Sequence, residues 1–235
     1  MKHLILYLFF FSLSICTFAQ PEDDSEKDHV RVTLADGTCI DGYVQEYWVS
    51  GKLFKRFNTS FTLSPKADGK DAVTYNADNV KCIEFVKKTS PDGKYDKLLS
   101  KVVANPSILK PKRTRKQFVY EEGGNDIGEI YWWNGIDSQN MQLGKMNITT
   151  IYGICLRGDS VIVPFMTGNV ISLNAMRIRY KKTNPGLVDY VDKRILKGGK
   201  KLWDKLAYSP MIFLEICNEY FARQNNETTN KQCKK

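Results

Sequence analysis

Residues 30–47 read VRVTLADGTCIDGYVQEY. Val30, Val32 and Leu34 alternate with Arg31 and Thr33, the two-residue period of a half-buried strand. Asp36-Gly37 supplies a turn, and two registers compete for the returning arm. A two-residue Asp36-Gly37 loop sets Val32 opposite Asp41 and places an acid on the apolar face. A three-residue loop, Ala35-Asp36-Gly37, sets Val32 opposite Ile40 and keeps Val44 on the same side. The second register is the expected one. It gathers Val30, Val32, Leu34, Ile40 and Val44 on one inner face and turns Cys39 outward. It also puts Gly37 in the left-handed region, where a Cβ would be costly. A slip of one residue would invert the whole second arm.

The chain around this hairpin has 235 residues. Residues 1–20 have the layout of a secretory signal: Lys2, an apolar run from Leu4 to Phe11, then Thr17-Phe18-Ala19 before Gln20. Leu13-Ser14-Ile15-Cys16 has the outline of a lipoprotein box, but Ile15 is bulky where a small residue is wanted. The expectation is export, to the periplasm, the outer surface or the medium. No later stretch approaches the twenty or so apolar residues of a membrane span. The formal net charge is +9, and Lys2 supplies only one unit of it. A basic balance suits anionic partners, and it also serves plain solubility.

Beyond the signal the cysteines are Cys39, Cys82, Cys155, Cys217 and Cys233. Their spacing is wide and contains no CxxC, so no metal site is expected, and no cofactor motif is present. An exported chain can form disulfides. Cys39 with Cys82 is the expected pair, both read as facing outward in one module. Cys217 is expected to be a buried thiol on an apolar helix face. The one histidine after the signal, His29, falls in an acidic leader, PEDDSEKDH at 21–29, read as flexible. Histidine-based nucleophilic catalysis therefore lacks its base, and no catalytic residue is assigned.

The rest divides into segments. Residues 30–86 form a small β module, with strands expected at Ser60–Leu63, Ala72–Tyr75 and Val80–Val86. Residues 87–117 carry a helix and a basic connector. Tyr95, Leu98, Leu99, Val102 and Val103 fall at i, i+3, i+4, i+7 and i+8, a helical stripe. Residues 118–182 are β-rich, with strands expected at Glu129–Trp133, Ile148–Leu156, Ser160–Met166 and Val170–Tyr180. Residues 183–224 hold two helices, opened by Asn184-Pro185 and Ser209-Pro210, the first stopped by Gly198-Gly199. Residues 225–235 are a polar tail. The fold class is α+β: an N-terminal small antiparallel barrel or sandwich, a connecting helix, and a second antiparallel sheet with two C-terminal helices.

Three groups are candidate sites. Tyr131, Trp132 and Trp133 offer an aromatic platform for sugar rings, against plain core packing. Strand residues alternate faces, so Trp132 and Trp133 cannot share one buried side. Lys110, Lys112, Arg113, Arg115 and Lys116, from the run KPKRTRK, are candidates for an anionic partner, against a solvated linker. A second basic stretch runs from Arg177 to Lys205. Acid pairs such as Glu121-Glu122 and Asp189/Asp192 are read as surface residues rather than a glycosidase pair.

Two resemblances follow. Gly37, Gly42, Val80 and Ile83 stand where Sm-like or SH3-like small barrels carry L-x-x-G-x-x-x-x-G in the first hairpin and V-x-x-I in the last strand. That resemblance implies a small barrel over about a quarter of the chain. The R-G-D/N signature is replaced by Asn76-Ala77-Asp78-Asn79, so RNA binding is not implied and a nucleic-acid partner is not expected. The signal, the acidic leader and the Asp-Gly hairpin together resemble exported cell-envelope proteins of Bacteroidota-type bacteria, which implies location but no particular activity. The function expected is a non-enzymatic binding or scaffolding module of the envelope, its partner an envelope protein or anionic glycan. The alternative is glycan binding or processing through Tyr131–Trp133.

Overall fold

The computed structural model describes residues 29–46, 59–87, 91, 93, 96–105, 113–136 and 148–232. The expected signal and nearly all of the leader lie outside them, as do Lys110 and Lys112. The first hairpin joins β1 (His29–Leu34) to β2 (Cys39–Glu46). Val32 faces Ile40 and Val30 faces Gly42, the register of the three-residue loop. Gly37 has φ +92°, and Asp36 Oδ1 accepts the Thr38 N–H at 2.9 Å to close the turn. Val30, Val32 and Val44 are buried, with Leu34 and Ile40 packed against them. His29 belongs to β1 rather than to the leader, and its ring stacks on Tyr43 at 4.7 Å.

β3 (Ser60–Ser64) and β4 (Val73–Asn76) follow, and β5 (Val80–Phe85) returns to pair with β1. These five strands take the order β5-β1-β2-β3-β4. They do not stand apart as a small barrel or sandwich. β5 pairs onward with β6 (Lys97–Ala104), and the sheet continues through β7 (Thr114–Asn125), β8 (Gly128–Ile136), β9 (Ile148–Leu156), β10 (Val161–Thr167) and β11 (Val170–Ile171). Among the described residues the result is one eleven-stranded sheet.

From Lys97 on, the expected connecting helix is therefore β6, and Tyr95 of its stripe lies outside the described residues. Leu98 joins the N-terminal core, while Leu99 and Val103 turn to the opposite face. A strand buried on both faces loses its alternation and mimics a helical stripe. The start of β6 pairs with β5 and its end pairs in parallel with β10, through Val102 with Val161 and Val103 with Ile162. β7 lies along its other edge. The pairings β6-β7-β8-β9-β10-β6 thus close on themselves, and Val119, Tyr131, Trp133, Ile151 and Ile162 fill the inside with Val103.

Three helices complete the described chain: α1 (Asn174–Tyr180), α2 (Leu187–Tyr208) and α3 (Met211–Gln232). α1 replaces most of the strand expected at 170–180, because Ala175, Met176 and Tyr180 bury one side of a helical turn. α3 runs through residues expected as a tail, since no glycine or proline interrupts Asn225–Gln232. The helices cover the outer face of β8–β10. Phe213 of α3 stacks on Phe165 of β10 at 3.9 Å, both almost fully buried. No helix among the described residues is long and apolar enough to cross a membrane.

Candidate functional site

Among the described residues of the C-terminal half, a cleft of about 370 Å³ opens where β11, α1 and α2 meet. Each element reaches it for a local reason. Burial of Ala175, Met176 and Tyr180 turns Arg177 of α1 the other way, into the cleft. On α2, Leu187, Val188, Val191 and Ile195 are buried, which carries Asp192 and Leu196 to the cleft side. Gly199 then breaks the helix with φ +56° and ψ −157°, a combination open essentially to glycine alone. A Cβ on Gly198 would stand 2.5 Å from Leu202, so the glycine pair also lets Leu202 pack down. The expected helix stop is thus a kink, and helix resumes beyond it. The kink brings Trp203 back over the cleft, where its indole N–H donates to the Asn169 carbonyl at 3.1 Å.

The lining is apolar at Ile171, Leu173 and Ile195. Its lips are open: Leu196 is 73% exposed and Trp203 36%. The charged groups of the lining are Arg177 and Asp192, 3.9 Å apart and both half-exposed. At that distance and exposure the pair is weak. The surroundings are basic, with ten Lys and Arg against three Asp between Arg177 and Lys205. The three arginines are matched locally, Arg177 to Asp192, Arg179 to Asp159 and Arg194 to Glu219. The seven lysines of the stretch are exposed.

The aromatic triplet does not assemble as a platform. Tyr131 and Trp133 point into the closed circuit, 1% and 3% exposed. Burial, then the hydrogen bond that the Tyr131 hydroxyl donates to the Glu129 carboxylate, pushes this phenol far above its ordinary value. Lys101 Nζ lies 5.3 Å from the centre of the same ring. Trp132 alone takes the other face. It faces Tyr120 and Tyr152 in register and stacks on Tyr120 at 4.3 Å, so one side of its indole is already covered. Burial pushes the Tyr120 hydroxyl up to about 12.

The basic run is not a linker where it is described. Arg113 leads into β7, and Arg115 and Lys116 belong to it, projecting to opposite faces. Arg115 Nε donates to Gln117 Oε1 at 2.9 Å, and Lys116 Nζ to the Asp78 carbonyl at 3.5 Å. Gln117 is fully buried, which the charge of the run concealed.

Cys39 and Cys82 are not a disulfide. They flank Thr33 from opposite sides, on β2 and β5. Two strand spacings separate them by about 10 Å, beyond the roughly 7 Å that a disulfide spans between Cα atoms. Cys39, Cys82, Cys155 and Cys217 are free thiols. Cys39 is exposed as expected. Cys82 is buried, because β6 lays Leu99 beside it. Burial pushes the Cys217 thiol up to about 12. Among the described residues no group of three His, Cys, Asp or Glu gathers to hold a metal.

The cleft was missed in the sequence because its residues are apolar and basic side chains of ordinary type, spread over 171–203. The Gly198-Gly199 pair was the available signal, and it reads equally well as a helix end. No protein-family model, curated protein or solved structure matches the chain.

Proposed function

We propose that this protein is an exported, non-enzymatic binding module of the cell envelope, and that its partner seats on the cleft between β11, α1 and α2. The observation that carries the reading is the make-up of that cleft. It has an apolar wall, exposed Leu196 and Trp203 at its lips, and one loose Arg177–Asp192 pair. Ser172 and Asn174 also line it, so the cleft offers polar and apolar surface in similar measure, and concave surface with apolar walls and polar groups to orient a ligand is a usual form of a binding site. The signal-like residues 1–20 support the location.

The test follows Trp203 emission, taken as the difference between the protein and its Trp203→Phe variant. Peptidoglycan fragments, lipopolysaccharide and phospholipid vesicles are the probes. A saturable change with at least one probe, weakened by Leu196→Ser, is expected. Turnover of envelope glycans or peptides that a single acidic substitution abolishes would overturn the reading.

Glycan binding or processing is the second reading, carried by Trp132, whose indole is only half-buried. Soluble oligosaccharides should then alter the emission that remains in Trp203→Phe. An unchanged spectrum sinks it.

A further inference from the structure

The basic stretch and the cleft lips occupy one region, and together they fit one kind of partner. We infer that the α1–α2 face docks on an anionic membrane surface, with Leu196 and Trp203 entering the interface and Lys200 beside Trp203. This rests on the reading of the cleft as a binding site and names its partner.

Charge is the first argument. Between Arg177 and Lys205 ten cations meet three acids, against a net charge of +9 for the whole chain. The arginines are spent on local acids, whereas Lys197, Lys200, Lys201 and Lys205 stand exposed in the part of α2 that carries Leu196 and Trp203. Such lysines gain from an anionic leaflet within a Debye length of its surface.

Apolar exposure is the second. Of the seven large hydrophobic side chains most exposed among the described residues, Val170, Ile178, Leu196, Trp203 and Tyr208 fall between 170 and 208. Leu196 and Trp203 line one cleft, so they share a side. The Trp203 N–H is already satisfied by Asn169, so the indole can enter a headgroup region without stranding a donor. A soluble polyanion would use the lysines and leave Leu196 in water. A bilayer interface takes both, as it does with amphipathic helices that lie in its plane.

The experiment uses the purified protein and vesicles of phosphatidylglycerol with phosphatidylcholine, or of phosphatidylcholine alone. Cosedimentation should occur with the anionic vesicles and fall as salt rises. Trp203 emission should shift to the blue and be quenched by brominated lipid. Lys200→Gln, three residues before Trp203 on the same helical run, should lower partitioning roughly fivefold, whereas Lys201→Gln and Lys205→Gln, each two residues from Trp203 and so on the far side of the helix, should change it less. Leu196→Ser should weaken binding and quenching without changing the melting temperature. Equal binding to neutral vesicles overturns the inference, as does anionic binding without quenching of Trp203. If vesicles do nothing while peptidoglycan fragments or lipopolysaccharide change Trp203 emission, the membrane inference fails and the cleft reading stands.

Discussion

Replacing Gly153 by alanine is the sharpest test of the closed strand circuit. Gly153 lies on β9 opposite Tyr131 of β8 and Pro164 of β10. A Cβ there would stand 2.5 Å from Ile162 Cγ2, and 3.0 and 3.1 Å from Trp133 Cη2 and Cζ3. Neither neighbour can step aside into solvent, because Ile162 is 1% exposed and Trp133 3%. Overfilling a packed interior costs about 1–3 kcal/mol. The loss of glycine's freedom in the unfolded chain offsets about 0.4–1 kcal/mol of that. The net expectation is a destabilisation of about 1–2 kcal/mol, or a melting temperature lower by roughly 3–6 °C in a chain of this size. Urea and thermal unfolding followed by circular dichroism measure both quantities. Adding Ile162→Leu moves the branching methyl off Cβ and should recover part of the loss, a favourable coupling of the kind neighbours show. If Gly153→Ala proves neutral or stabilising, the inside of β6–β10 is not packed as described, and the reasoning from closure to Trp133 burial fails.

Three further outcomes are expected. Gly199→Ala forces a side chain into a backbone region nearly closed to it and should cost about 1–3 kcal/mol; an unchanged melting curve together with unchanged Trp203 emission would show that the kink does not shape the cleft. Maleimide labelling of the native protein should modify Cys39 quickly and leave Cys82 and Cys217 untouched until unfolding, and a Cys39–Cys82 crosslinked peptide in the non-reduced digest would contradict the strand order. Burial tends to raise the Asp159 carboxyl, but the Arg179 guanidinium and the Val161 and Ser160 N–H groups outweigh it, so its pKa is lowered. The stability it contributes is present above the ordinary carboxylate value near 4 and is lost as pH falls through the lower folded value. Asp159→Asn should therefore flatten the acid limb of the stability curve and cost about 1–2 kcal/mol at neutral pH; an unaltered limb would refute the assignment.

The hairpin was legible because its constraint is local. One acid, Asp41, had to leave the apolar face, and only one loop length allowed it. The alternation of Tyr131, Trp132 and Trp133 was legible for the same reason, since neighbours on a strand take opposite faces whatever surrounds them. Which face counted as inside was not legible. It depends on closure between β6 and β10, almost sixty residues apart, and no local pattern records that pairing. The cleft failed similarly. Its lining becomes a site only when α1 and the two parts of α2 are set against β11.

At 97–104 a helical pattern is present in the sequence, but a strand produces it. Leu98-Leu99 and Val102-Val103 satisfy a helical stripe, yet two consecutive apolar pairs also describe a strand with a core on each side. β-branched Val102 and Val103 favour the strand, and Pro106 is compatible with either end. Tertiary demand decides. As a helix, 97–104 would bury one stripe and leave both halves of the protein with open sheet edges. As a strand it gives β5 a partner at Leu98-Leu99 and β10 a partner at Val102-Val103, while β7 occupies its far side. Three edges that would otherwise be exposed are closed by eight residues. Leu98 then packs in one core and Leu99 in the other. The two halves are therefore joined by a shared strand rather than by a linker.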